Sequence, residues 1–260
     1  MTILDKIHRH KLFEIAENKK RIPLEVLKKA IPKGHETKTF SRALTCDTNI
    51  SIIAEIKKAS PSQGVIKEDF NPIEIARLYE AGGAAAISVL TDEKFFQGNL
   101  KYLMDVKKSV TLPVLRKDFI VDAYQIYEAR FAGADAILLI AALLSKEEIQ
   151  FFLDLAQEMC MDCLVEVHAE AELQKVLQTS ATIIGINNRD LATFKIDLET
   201  TGRLMSMIPD EKIIVSESGI KSRTEIVKLF KMGINAILVG ETLMKSHDIP
   251  AKLHELLGIP

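Results

Sequence analysis

From residue 50 onward, short apolar runs return at a steady interval, and that rhythm limits the fold more than any other feature of the chain. The runs fall at 51–56, 84–90, 112–116, 135–140, 163–167, 182–187, 212–217 and 235–239. Each is followed by a polar loop and an amphipathic stretch before the next run begins. The interval, roughly 20–30 residues, is that of a strand plus a crossover helix. Runs that are apolar at successive positions, such as Ile52-Ile53-Ala54, read as strands buried on both faces. Three helix-to-strand junctions are near copies of one another: Ala81-Gly82-Gly83-Ala84, Ala132-Gly133-Ala134-Asp135 and Met232-Gly233-Ile234-Asn235. Glycine just past a helix end accepts the left-handed conformation, and small residues after it let helix and strand approach. Such self-similarity at long period marks repeated supersecondary units.

The stretches between runs carry helical stripes. Ser145-Lys146-Glu147-Glu148 has the spacing of a capping box, followed by Ile149, Phe152, Leu153 and Ala156 on one face. Ile226, Val227 and Phe230 mark a later stripe. About eight strand-helix units with no linker between them predict an α/β chain of the (β/α)8 TIM barrel type, a single domain over 1–260. An open doubly wound sheet competes, but it usually carries a glycine-rich turn after its first strand, and Lys57-Lys58-Ala59-Ser60-Pro61 is not one. Residues 1–46 form an N-terminal helical extension. Pro23 is placed to start a helix at Leu24, and Lys33-Gly34-His35 is a break. The loop from Lys58 to Asn71 is long for a strand-to-helix turn and reads as a lid.

Charge and cysteine usage exclude several classes. A net charge of −2 leaves no basic footprint for nucleic acid and no polybasic membrane surface. No apolar run is long enough to span a bilayer, and the first residues lack the layout of a signal peptide. Cys46, Cys160 and Cys163 are too few for a disulfide framework. Cys160 and Cys163 make a C-x-x-C without a second ligand pair for zinc, and read as two small apolar side chains where a helix runs into a strand. A reduced, cytoplasmic protein follows. A monomer is the expectation, with a weak dimer left open.

A (β/α)8 barrel gathers the loops after its strands on one face, where active sites lie. The polar residues at the strand ends therefore converge. They are Glu55 and Lys57, Lys117 and Asp118, Glu166 and His168, Asn187 and Arg189, and Glu217 and Ser218. Several ionisable groups in one low-dielectric mouth need mutual pairing or a charged ligand. The last two units look like a phosphate site. Ser216-Glu217-Ser218-Gly219 follows the seventh run, and Val239-Gly240-Glu241-Thr242 follows the eighth and opens a helix. Glycines let backbone N–H groups come close to a phosphate, and barrels often hold phosphates there.

In these stretches the chain resembles the indole-3-glycerol-phosphate synthase family. The matching segments are Ile53-Ala54-Glu55-Ile56-Lys57-Lys58-Ala59-Ser60-Pro61-Ser62, Leu115-Arg116-Lys117-Asp118-Phe119-Ile120 and Leu164-Val165-Glu166-Val167-His168. Ile186-Asn187-Asn188-Arg189-Asp190-Leu191, Ser216-Glu217-Ser218-Gly219-Ile220 and Val239-Gly240-Glu241-Thr242-Leu243-Met244 complete the set. The resemblance covers essentially the whole chain. Ala123, where proline is expected, and Ala169, where an acidic residue is common, depart from it away from the strand ends.

The resemblance implies a reaction and a set of roles. The substrate is 1-(2-carboxyphenylamino)-1-deoxyribulose 5-phosphate, a phosphosugar; ring closure with loss of CO₂ and water gives indole-3-glycerol phosphate, with no metal or organic cofactor expected. Lys117 is the expected general acid, Lys57 holds the substrate carboxylate, and Glu166 serves as base or acid in water loss. Which lysine acts at which step is left open. Glu55 and Glu217 act electrostatically on the lysines, and Asn187 positions the reacting centre. Arg189 is a further polar contact. Phe96, Phe119, Leu138 and Leu238 form the wall for the anthranilate ring. Ser60, Ser218, Gly219, Gly240 and Glu241 hold the phosphate, Glu241 through its backbone N–H alone. Phosphoribosylanthranilate isomerase on the same barrel is a rival reading, but it calls for a Cys/Asp pair at the strand ends, and Cys163 opens a strand on the far face. A catalytically silent barrel is the other, and the intact set of Lys57, Lys117, Glu166 and Asn187 speaks against it.

Overall fold

The computed structural model describes residues 2–32, 37–45, 49–190 and 195–259. The Lys33-Gly34-His35 break, Cys46 and Leu191 lie outside the described residues. The helical extension comes first, as α1 (Ile3–Arg21), α2 (Leu24–Ala30) and α3 (Phe40–Ala43). Pro23 is the N-cap of α2, as its fixed φ and missing N–H favour.

Eight parallel strands then close into a barrel. They are β1 (Ser51–Ile56), β4 (Ala86–Leu90), β5 (Val114–Lys117), β6 (Ala136–Ile140), β7 (Asp162–Val167), β8 (Ile183–Asn187), β9 (Ile213–Glu217) and β10 (Ala236–Val239). Each pairs with its neighbour in chain order, and β1 pairs with β10 to close the ring. The two remaining strands, β2 (Ala59–Ser60) and β3 (Gly64–Val65), form a small antiparallel hairpin in the segment expected as a lid. Its tip is tied down by Lys245 Nζ donating to Gln63 Oε1 at 3.3 Å.

The helices between strands are α4 (Pro72–Ala81), α5 (Glu93–Phe96), α6 (Leu100–Ser109), α7 (Ala123–Ala132), α8 (Lys146–Glu158), α9 (Glu170–Val176), α10 (Glu199–Met205) and α11 (Arg223–Lys231). The short α12 (Glu241–Met244) and α13 (Ile249–Leu257) follow. Ser145 and Glu148 form the expected capping box on α8. The three repeated junctions hold left-handed glycines, Gly83, Gly133 and Gly233, at φ of 85°, 88° and 93°. One stripe differs from the sequence expectation. On α11, Ile226 and Leu229 are buried, while Phe230 is exposed, because the turn from 226 to 229 faces the sheet and residue 230 rotates past it.

Two apolar layers follow from the period-two alternation of the strands. Outward residues such as Ile52, Ala54, Val114 and Val165 pack against the helices. Inward residues such as Ile53, Leu115, Leu138, Leu164 and Val215 fill the barrel. The extension joins this interior from both ends. Phe40 and Leu44 pack into it where Ser41 N–H meets Asp162 and Lys38 N–H meets Asp135, both at 2.8 Å, at the starts of β7 and β6. Ile7 of α1 joins it near Phe95 and Phe96, at the opposite end.

Candidate active site

Alternation along the strands decides which polar side chains enter the barrel. Counting inward from Ile53, Leu115, Leu164, Ile183 and Val215 by twos gives Glu55 and Lys57, Lys117, Glu166, Asn187 and Glu217. All six lie at the carboxyl ends of their strands. Parallel register sets them side by side: Glu217 is opposite Asn187 on β8 and Leu238 on β10, and Glu166 is opposite Gly185. They line one cavity of about 680 Å³. The apolar side chains expected as its wall, Phe96, Phe119, Leu138 and Leu238, line it too, with the Phe96 and Phe119 rings 5.9 Å apart at a 40° tilt. Ser60, Arg189, Ser218, Gly219, Gly240 and Glu241 complete the same rim.

The charges are paired within the cavity. Lys117 Nζ lies 3.0 Å from Glu166 Oε2 and 3.2 Å from Glu217 Oε2. Lys57 is hydrogen bonded to Glu55. Burial works against charge on Lys117, but Glu166, Glu217 and Glu55 more than offset it and hold the ammonium well above the usual lysine range. Burial likewise opposes charge on Glu55, yet Lys57 and Lys117 bring its carboxyl below the usual range. Glu217 goes the other way. Burial dominates, Lys117 offsets only part of it, and Glu166 and Glu55 add repulsion, so its carboxyl is pushed up to about 8. Its Oε1 has no hydrogen-bond partner among the described residues.

The turns after β9 and β10 are shaped for close approach. Ser218 has φ of 66°, which is strained for a residue with a side chain, and Gly219 follows at 86°. A Cβ on Gly219 would meet Ile196 Cγ2 at 2.6 Å, so residues 196–198 fold directly over this turn. Thr242 Oγ1 donates to Ile220 O at 2.8 Å and ties the two turns together. The Glu241 carboxylate is turned to Lys245 at 2.7 Å and Arg189 at 3.8 Å.

Several residues that the motifs contained but left without roles prove structural. Asn188 Nδ2 donates to Ser216 Oγ and Ser218 O, and its Oδ1 accepts from Thr201, which binds the turns after β8 and β9 into one buried network. Arg116 points outward to Glu128, Asp118 and the Gln125 carbonyl. His168 is not at the cavity. It meets the Asn187 carbonyl through Nδ1 at 2.7 Å, because it lies one residue past the end of β7, where strand alternation no longer sets its direction. Nothing in the sequence marks Gly185 as part of the site. A Cβ there would overlap Glu217 Oε1, so the glycine makes room for that carboxyl. Lys221, Lys245 and Gln63 also line the cavity without having been anticipated.

Among the described residues no cluster of histidine, cysteine, aspartate and glutamate is arranged to hold a metal ion. No described helix is long and apolar enough to cross a membrane.

A sequence model of the family "Indole-3-glycerol phosphate synthase" matches residues 4–256. The chain belongs to the indole-3-glycerol phosphate synthase family. It is 52% identical over 254 residues to the indole-3-glycerol phosphate synthase of Alkaliphilus metalliredigens, covering 98% of this chain and 97% of that one. It is 48% identical over 259 residues to that of Acetivibrio thermocellus, covering 99% and 100%. Among solved structures, 3-hexulose-6-phosphate synthase of Salmonella typhimurium superposes with a TM-score of 0.66 at 13% identity, over 81% of this chain and 98% of that one, which speaks to the barrel fold alone. Indole-3-glycerol phosphate synthases are carboxy-lyases of tryptophan biosynthesis, and the activity of this chain is ring closure, decarboxylation and dehydration of 1-(2-carboxyphenylamino)-1-deoxyribulose 5-phosphate.

Proposed function

We propose that Lys117 starts this reaction as the general acid, in a cavity whose other groups each serve one part of the substrate. The observation that carries the reading is the placement of the Lys117 ammonium between two carboxyl groups, 3.0 Å from Glu166 and 3.2 Å from Glu217, beside a second ion pair of Lys57 and Glu55. The ring carbon bearing the carboxylate attacks the ketone carbon, and Lys117 protonates the carbonyl oxygen as the bond forms. Lys57 holds the carboxylate until CO₂ leaves and its bonding electrons restore the aromatic ring. The new hydroxyl then departs as water, protonated by one acid while a base takes a proton from the new ring. Glu166 and the two lysines are the groups for these transfers.

The remaining residues position the substrate. Asn187 Oδ1 accepts from the Arg189 N–H at 3.0 Å, which leaves its amide N–H groups for the reacting centre. The Phe96 and Phe119 rings, with Leu138 and Leu238, take the anthranilate ring. Ser60, Ser218, Gly219, Gly240 and Glu241 take the phosphate, with Arg189 beside it. Because the Glu241 carboxylate is engaged by Lys245, its backbone N–H is the part that serves the anion. No cofactor is required by this sequence of proton transfers.

Residues 1–260 act as one unit, since α1 and α3 pack into the barrel interior. The large exposed apolar side chains include Phe13, Phe151 and Phe230 on separate helices, which suits a monomer. Free thiols at Cys160 and Cys163 suit the cytoplasm. The direct test of the functional reading is indole fluorescence on adding the aminodeoxyribulose phosphate. Turnover is expected with this substrate and none with phosphoribosylanthranilate; a silent protein would point to a binding role instead.

A further inference from the structure

One lysine of the helical extension lies inside the molecule. Lys11 of α1 is fully buried. Its Nζ lies 2.9 Å from Asp118 Oδ1, 3.0 Å from Asp92 Oδ2 and 3.0 Å from Glu14 Oε1. The contact with Asp92 is an ion pair by distance, and its angle falls short of a hydrogen bond. Burial works against the charge, but Asp118, Asp92 and Glu14 more than offset it and hold the ammonium above the usual lysine range. An ammonium this deep costs stability unless it is fully paired, so its position calls for a reason.

The reason lies in what the two aspartates do next. Asp92 is the N-cap of α5, and its Oδ1 accepts from the N–H groups of Phe95 at 2.7 Å and Phe96 at 3.2 Å. Asp118 Oδ1 accepts from the N–H of Phe119 at 2.8 Å. Each aspartate thus sets the backbone of one of the two phenylalanines in the cavity wall, and both lie within 3.0 Å of a single nitrogen. The second oxygen of Asp118 is held by Thr91 at 2.5 Å and Arg116 at 3.2 Å. Among the described residues Asp92 has no comparable second cation.

We infer that Lys11 is a positioning residue for substrate binding. It draws Asp92 and Asp118 to one point and so fixes the separation of Phe96 and Phe119, the width of the slot that receives the flat ring. It touches no substrate, and the inference rests on the aromatic wall proposed above. Without the ammonium, two buried carboxylates face each other. Asp92, the less anchored of the two, turns away and takes the first turn of α5 with it.

The test is Lys11→Met, which keeps the stem and removes the charge. The Michaelis constant is expected to rise about five- to tenfold, the scale of an aromatic contact, with kcat changing less. A second readout needs no turnover. The chain has no tryptophan, so the emission of indole-3-glycerol phosphate reports its own binding. The dissociation constant of this product should rise by the same factor. Glu14→Gln, which removes the third partner of the same lysine and leaves its contacts with both aspartates, should leave both constants as they are. Parental constants in a folded Lys11→Met protein overturn the inference, and so does an equal rise in Glu14→Gln. Should Lys11→Met fail to fold, the combination of Lys11→Met, Asp92→Asn and Asp118→Asn removes the ammonium together with both buried aspartate charges, leaving Arg116 paired with Glu128 and Glu14 reached by solvent. A raised constant is again expected, and a parental one overturns the inference. Phe96→Ala and Phe119→Ala separate this from the wall itself. If neither weakens product binding, the wall assignment fails; if both do and Lys11→Met does not, only the role of Lys11 fails.

Discussion

Glu217 sits 3.2 Å from the Lys117 ammonium through one oxygen, and its other oxygen, without a partner among the described residues, lies against the bare backbone of Gly185. Burial, with Glu166 and Glu55 nearby, outweighs Lys117 and raises its carboxyl to about 8. The group is therefore neutral in the fold at pH 7, whereas it ionises near its ordinary 4.5 in the unfolded chain. Between those values the folded state keeps a proton that the unfolded chain has released. Its contribution to stability is fully present below about pH 4.5 and is lost as the pH rises through about 8. A neutral Glu217 also holds the Lys117 proton less tightly, which an acid must eventually give up. The expected outcome is an alkaline fall in kcat/KM with a midpoint near pH 8 that is missing from Glu217→Gln. A limb of the same midpoint in the variant would assign it elsewhere.

The barrel and the polar strand ends were legible for one reason. Strand alternation and helix periodicity are local, and a closed parallel barrel leaves one face for the loops after its strands. Glu55, Lys117, Glu166 and Glu217 could thus be gathered from positions far apart in the chain. Contacts made across the fold were hidden. Gly185 looks like any strand glycine until the carboxyl beside it is seen. Lys11 reads as one more charge on a charge-rich helix, because nothing local says that Asp92 and Asp118 will meet it. His168 misled because it lies one step past the strand end, where strict alternation stops.

Lys117→Ala is expected to lower kcat by about 10²–10⁴, the range for a lost general acid. Lys117→Arg should not restore it, since a guanidinium keeps its proton and is too wide for a site shared by Glu166 and Glu217. Both are read from the rate of indole fluorescence at saturating substrate. Near-parental turnover in either variant removes Lys117 from the acid's role.

Gly185→Ala places a methyl group where the Glu217 carboxyl lies and within 3.2 Å of Leu164. Overpacking of this kind costs about 1–3 kcal/mol of stability. The larger expected effect is on chemistry: kcat falls and the alkaline midpoint moves from about 8, because the carboxyl is forced off Lys117. Thermal denaturation and a pH–rate profile together check it. A variant that loses stability while keeping its midpoint would show that the glycine serves packing alone.

Gly240 is expected at the phosphate, yet a Cβ there would also overlap the Glu55 carboxylate. Gly240→Val therefore has two effects. It crowds the phosphate and raises KM, and it pushes Glu55 away from Lys57, which lowers kcat. Ser218→Ala, on the neighbouring turn and without contact to Glu55 among the bonds formed, should raise KM with a much smaller change in kcat. Inorganic phosphate should compete with substrate in the parent and less well in both variants. Steady-state kinetics with phosphate as inhibitor check the pair, and an unchanged inhibition constant in both would move the anion to the Lys221 and Lys245 side of the cavity.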